Sequence, residues 1–113
     1  MLCQGIITFD VISRRQYTRP VIRGFKDDDT AKVFHGHPVR RLVYIQGIAR
    51  RKLVVLDAAD SLQDLGAVPG NRLKKLRGDR EGQWSIRIND QWRICFVWRE
   101  HDAQEVEIVK HYD

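Results

Sequence analysis

NRLKKLRGDREGQWSIRINDQWRICFV, from Asn71 to Val97, is the stretch that decides the fold of this chain. Trp84, Ile86 and Ile88 alternate with Ser85, Arg87 and Asn89, and Trp92, Ile94, Phe96 and Trp98 alternate with Arg93, Cys95 and Val97. Period two in β-branched and aromatic residues is the pattern of a strand buried on one face. Asn89-Asp90 supplies the turn, because both side chains tolerate the left-handed region and bond their own backbone. Parity then selects the register. A two-residue loop pairs Ile86 with Arg93 and mixes the faces. A three-residue loop through Gln91 instead pairs Ile88 with Trp92, Ile86 with Ile94 and Trp84 with Phe96. The three-residue form is predicted, and it sets Arg87 directly opposite Arg93 on the other face.

Like charges opposed across strands destabilise a sheet. Two guanidinium groups about 6 Å apart repel by about 3 kcal/mol at an effective dielectric of about 20. A bound anion or a nearby carboxylate has to offset that repulsion, unless solvated side chains splay apart. Arg72, Lys74, Lys75, Arg77 and Arg80 stand just ahead of the hairpin, with Lys74 and Arg77 assigned to a preceding strand. Cations gathered on one small sheet favour a polyanion, and a phosphate backbone is the obvious candidate.

Composition agrees. A chain of 113 residues with 42% hydrophobic content forms one domain with one modest core. A net charge of +5 and a pI near 9.6 favour an acidic partner: nucleic acid, an acidic protein or an anionic membrane surface. Cys3 and Cys95 make neither a disulfide framework nor a zinc spacing, which points to a reducing cytoplasm. No apolar run approaches the roughly 20 residues of a membrane span. The opening MLCQGIITFDVISRRQ lacks the basic start and cleavage site of a signal peptide.

Residues 1–20 differ in pattern from the rest of the chain and read as an extra strand or a loosely held extension. From Val21 the pattern sharpens. VIRGF (21–25) reads as a short strand, and Asp27, Asp28 and Asp29 offer an N-cap for a short helix containing Ala31, Val33 and Phe34. A second helix is predicted over roughly Val39 to Ala58, with Leu42, Ile45, Ala49, Leu53 and Leu56 on one stripe. Gly47 weakens it by about 1 kcal/mol relative to Ala. Arg40, Arg41, Arg50, Arg51 and Lys52 fall on its outside, where Arg50-Arg51-Lys52 reads more readily as a solvated face than as a contact with RNA. Residues 60–65 add a further turn of helix, and Pro69-Gly70-Asn71 a tight turn into the strands. Val106 and Ile108 belong to a last strand. Strand, helix, helix, then three strands indicates α+β: two N-terminal helices packed on a small antiparallel β-sheet.

The segments IRGFKDDDTAKVF, RRKLVVLDAADSLQDL, VPGNRLKKLRGDREGQWSIRINDQWRICF and VEIV resemble, in this order and spacing, the HigB branch of the RelE/ParE toxin superfamily. The likeness runs from about Val21 to the C-terminus. It implies a toxin domain over 21–113 and residues 1–20 as an extension outside it. Family members start at the equivalent of Val21-Ile22-Arg23, so a different start site would remove that extension. It also implies a toxin of a type II toxin–antitoxin system that enters the ribosome, cuts messenger RNA and so inhibits translation. A HigA-like helix-turn-helix antitoxin inhibits such toxins, and operator DNA is contacted only through that antitoxin. No cofactor, metal or membrane is implied. Two other readings stay open: a ParE-like binder of DNA gyrase without nuclease chemistry, and an inactive relative that only binds its antitoxin.

Cutting RNA by attack of the 2′-hydroxyl on its own phosphate requires a base, an acid and cations around the pentacoordinate phosphate. The cations placed for this are Lys74, Arg77 and Arg93, with Arg72, Lys75, Arg80, Arg87 and Lys110 as phosphate contacts. Proton transfer falls to His111 and Tyr112. Positive surroundings disfavour protonated imidazole, so neutral His111 can accept a proton while Tyr112 donates one. HigB-like toxins tend to end in Asp-Tyr-His. Here Lys110-His111-Tyr112-Asp113 holds those side-chain types in reversed order, which leaves acid and base unassigned between them. His35-Gly36-His37 reads as a helix end rather than a metal pair. The alternation of Trp84, Trp92 and Trp98 with isoleucines favours core packing over a base-stacking platform.

Overall fold

The computed structural model describes residues 20–110. Within them α1 (Asp28–Phe34), a 3₁₀ turn (Arg40–Leu42), α2 (Gln46–Asp57) and α3 (Leu62–Ala67) precede the strands. The strand region comprises β1 (Lys74–Lys75), a 3₁₀ turn (Gly78–Arg80), β2 (Gln83–Arg87), β3 (Trp92–Arg99) and β4 (Asp102–Lys110). The sheet is antiparallel in the order β1-β2-β3-β4, so the α+β class holds, and the strand expected ahead of the hairpin is the two-residue β1.

The hairpin adopts the predicted register: Trp84 pairs with Phe96, Ile86 with Ile94 and Arg87 with Arg93. Its turn is Asn89-Asp90-Gln91. The Ile88 N–H donates to the Trp92 carbonyl at 2.9 Å, and Asn89 Oδ1 accepts from the N–H groups of Gln91 (2.8 Å) and Trp92 (2.9 Å). One side-chain oxygen thus satisfies two backbone donors, which closes a turn this short.

Ile86, Ile94 and Ile108 form a row across β2, β3 and β4. With Phe96 and Val106 they are buried against Val33, Ala49, Leu53, Leu56 and Leu65 from the helices. Trp84, Trp92 and Trp98 are half-buried against this core, as their alternation indicated. On β4 the left-handed Glu105 (φ 52°) coincides with a one-residue register shift opposite Cys95–Val97, so Ala103 and Val106, three residues apart, both reach the core side.

Asp27 caps α1, its carboxylate accepting from the Thr30 N–H at 3.2 Å. The predicted strand at 21–25 is reduced to two isolated parallel bridges beside β4, Ile22 with Ala103 and Phe25 with Val106. The predicted long helix over 39–58 is broken. Gln46 folds back, accepting the Val39 N–H at 2.9 Å and donating to the His37 carbonyl at 2.6 Å. In an unbroken helix residues 39 and 46 would stand about 10 Å apart along the axis, so this tie requires the break. Gly47 therefore lies in the first turn of α2. Ser61 caps α3 by accepting from the Asp64 N–H at 3.1 Å. No described helix is long and apolar enough to cross a membrane.

Thr30 is fully buried, and its Oγ1 accepts from the Ile108 N–H at 2.9 Å, fastening α1 to β4. Thr30→Val orphans that buried N–H and is expected to lower stability by about 1–3 kcal/mol in urea unfolding. Thr30→Ser, which keeps the acceptor, should lose less.

Candidate nucleic-acid interface

On the face of the sheet away from the helices, two rows of side chains are set by the pairing. Lys74, Ser85, Cys95 and Glu107 share one row, and Arg87, Arg93 and Val109 the next. The opposed arginines are accommodated without being neutralised together. Arg87 forms an ion pair with Asp90 of the turn, a carboxylate that is 92% exposed and so only weakly stabilising. Arg93 turns the other way, donating from Nε to Ser85 Oγ at 2.8 Å and from Nη2 to the Arg72 carbonyl at 2.8 Å. Its side chain thus lies across β2 toward the segment leading into β1, over the fully buried Ser85. Burial first, then the charges of Arg87 and Arg72, hold the Arg93 guanidinium below its usual value, although the Cys95 thiol opposes this.

The backbone is strained to make this arrangement. Lys74 opposite Ser85 would place Arg72 opposite Arg87. Instead the Asn71 carbonyl accepts the Arg87 N–H at 2.6 Å, and Arg72 is an extra residue at φ 46°. A non-glycine residue there costs about 1–2 kcal/mol, and the Arg72 carbonyl is the one that receives Arg93.

The predicted cations do not all converge. Arg72, Lys74, Arg87 and Arg93 gather at one end of the sheet. Arg77 is not on β1; it follows Leu76, whose N–H donates to the Gln83 carbonyl, four residues along β2 from Arg87 and so about 13 Å away. Arg80 sits at that far end, donating to Gln83 and to Glu107, each at 3.1 Å. The bond to Glu107 raises the Arg80 pKa despite some burial. Lys26 approaches the same carboxylate at 3.7 Å. Lys75 pairs with Trp84, on the parity of the core face, with its ammonium 5.9 Å from the indole ring. Between the two ends, in the row of Lys74 and Ser85, lies the buried Cys95, whose thiol is pushed up chiefly by burial.

Lys110, the last described residue, pairs with Trp92, and Val109 with Arg93, so β4 ends beside the arginine pair. His111 and Tyr112 lie outside the described residues, as do residues 1–19. Among the described residues no group of three or more metal-ligating side chains is gathered. His35 is in edge contact with Phe34, centroids 5.3 Å apart, and Phe25, 6.3 Å.

One member of the cluster is not legible in the strands. Lys52 of α2, assigned from sequence to a solvated helix face, donates to Asn71 Oδ1 at 2.6 Å beside the arginine pair. Arg50 likewise is engaged, donating to the Phe34 carbonyl at 3.1 Å at the end of α1.

Helices stacked on one side of a four-stranded antiparallel sheet, with guanidinium groups collected on the other, define a small RelE-like domain. The profile described as "RelE-like toxin of type II toxin-antitoxin system HigB" matches residues 19–112. Toxin HigB-1 of Vibrio cholerae serotype O1 is 40% identical over 89 residues, which are 77% of this chain and 94% of that protein. The chain belongs to the HigB-like toxin family. Endoribonuclease HigB of Proteus vulgaris is 40% identical over 50 residues, 42% of this chain and 54% of that one. The toxin–antitoxin complex YoeB–YefM of Staphylococcus aureus shares the fold, with a TM-score of 0.54 at 15% identity over 85% of this chain and all of that one.

Arg72→Gly tests whether the strained residue serves the site or the fold. Glycine relieves the left-handed strain, partly offset by its greater freedom in the unfolded chain. The melting temperature of the variant should be unchanged or a few degrees higher. A clear fall would show the Arg72 side chain to be structural.

Proposed function

We propose that this chain is a messenger RNA endonuclease that acts in the ribosome and is restrained by a helix-turn-helix antitoxin of the HigA kind. One observation carries the reading: Arg93, lying across β2 to the Arg72 carbonyl, shares one end of an open sheet face with Arg72, Lys74 and Arg87, beside the last residues of β4. A guanidinium has five N–H donors, and two of those of Arg93 are engaged. The rest can bind two oxygens of a phosphate at once. Among the described residues Lys74 and Arg72 have no carboxylate within ion-pairing distance, so their charge faces whatever binds.

In this reading the scissile phosphate sits against Arg93 and Lys74. As the 2′-oxygen attacks, charge builds on the nonbridging oxygens, and fixed cations stabilise that state more than the ground state. Arg87 and Arg72 hold the backbone on either side, and Lys110 adds charge at the end of β4. His111 takes the hydroxyl proton and Tyr112 donates to the leaving 5′-oxygen. Arg77 and Arg80, at the far end of the sheet, contact RNA beyond the cut. The Proteus vulgaris relative, named an endoribonuclease, supports the chemistry, and the YoeB–YefM complex supports an antitoxin partner.

Expression of the full chain without an antitoxin should arrest translation, with cuts confined to translated messages. A DNA-damage response would instead indicate gyrase poisoning, and unaffected growth an inactive relative. At matched protein levels, Arg93→Ala and His111→Ala should each lower cleavage by about 100-fold or more. Tyr112→Phe separates proton donation from packing. Loss in Arg93→Ala with both tail variants fully active would assign proton transfer elsewhere.

A further inference from the structure

Lys52 reaches the site from α2, on the opposite side of the sheet from the arginine cluster. Its partner Asn71 is fully buried and held by three further hydrogen bonds. Asn71 Nδ2 donates to the Leu65 carbonyl at 3.1 Å, its N–H to the Val68 carbonyl at 3.2 Å, and its own carbonyl accepts the Arg87 N–H at 2.6 Å. A carbonyl only accepts and an ammonium only donates, so the amide orientation is unambiguous and Oδ1 must face Lys52. Lys52 Nζ is therefore held at 2.6 Å from Oδ1, at the point where the Pro69–Arg72 turn meets the end of β2.

A neutral donor would tie α2 to Asn71 equally well. A charged one, half-buried beside a second cation, is costly unless an anion is present. Among the described residues no carboxylate ion-pairs with Lys52. Burial and the charge of Arg87 both lower its affinity for a proton. The bond to Asn71 leaves two ammonium protons for another acceptor. Gly70, left-handed at φ 86°, carries no side chain over the ammonium; a Cβ there would lie 3.9 Å from Nζ.

We propose that Lys52 and Arg87 form a second phosphate seat, positioned by Asn71, which holds the backbone phosphate neighbouring the one at Arg93 and so carries the RNA track around the end of the sheet onto α2. This rests on the RNA-binding reading above and adds a helix residue to it. Two adjacent phosphates gripped by groups on separate elements fix the direction of the strand across Arg93, which a single seat cannot do.

The test uses the full chain and a short single-stranded 2′-O-methyl RNA, which lacks the attacking hydroxyl and cannot be cut. Affinity is measured by fluorescence anisotropy between about 50 and 200 mM salt, where each phosphate neutralised on a single strand contributes about 0.7 to the slope of log K against log salt. Lys52→Gln keeps a hydrogen-bond donor but no charge and should lower that slope by about 0.7. Lys52→Arg should restore it. If Lys52→Gln lowers only the melting temperature and leaves the slope intact, Lys52 is structural and the second seat is refuted. In that case a slope lowered in Arg93→Ala would leave the RNA-binding reading standing. A wild-type protein that does not bind the probe would overturn the second seat, while the ribosome-dependent reading would stand or fall on the expression test above.

Discussion

Everything in this domain depends on the register of β2 against β3. One pairing places Ile86 against Ile94 in the core and, one residue further, Arg87 against Arg93 on the opposite face. A slip of a single position would turn the arginines toward Leu53 and Leu56 and expose the isoleucines. Burying unpaired guanidinium groups costs several kcal/mol each, so the core and the basic face enforce the same register. Asn89 makes that register attainable by supplying the acceptor for two N–H groups of the turn.

The charge crowding that results is relieved only in part. Arg87 leans on an exposed carboxylate of its own turn, and Arg93 on two uncharged oxygens. Neither arrangement removes the positive potential, and both hold the side chains in defined directions. In the proposed reading such a surface is preorganised, so little reorganisation would accompany phosphate binding. The left-handed Arg72 belongs to this preorganisation, because its carbonyl is the acceptor that draws the Arg93 side chain across β2.

The far end of the same face shows the contrast. There Arg80 and Lys26 share Glu107, so one of their two charges is offset within the protein. Two cation groups on one sheet thus differ in how far carboxylates offset their charge. The far group secures the Gly78–Arg80 turn and the first segment against β4. In the near group Arg72 and Lys74 have no ion-pairing carboxylate among the described residues, which in the proposed reading leaves their charge for RNA. Family membership makes an RNA ligand the natural reading, and the crowding of cations explains why this end of the sheet would hold it.

Local pattern alone carried the hairpin register, the Asp27 cap, the turn at Gly70 and the packing of the three tryptophans, because each is settled by residues within a few positions of one another. The α+β class came from the same periodicities. Tertiary contacts decided the rest. The break before α2 comes from Gln46 reaching back to a loop seven residues away, which no helical stripe records. Lys74 and Arg77 look equivalent in the sequence, but β1 is two residues long and only Lys74 keeps its place beside Ser85. Lys52 reads as one more solvated helix cation until the chain folds Asn71 against it. Periodicity assigns a residue to a face; which charge meets which partner is fixed only when elements distant in the chain are brought together.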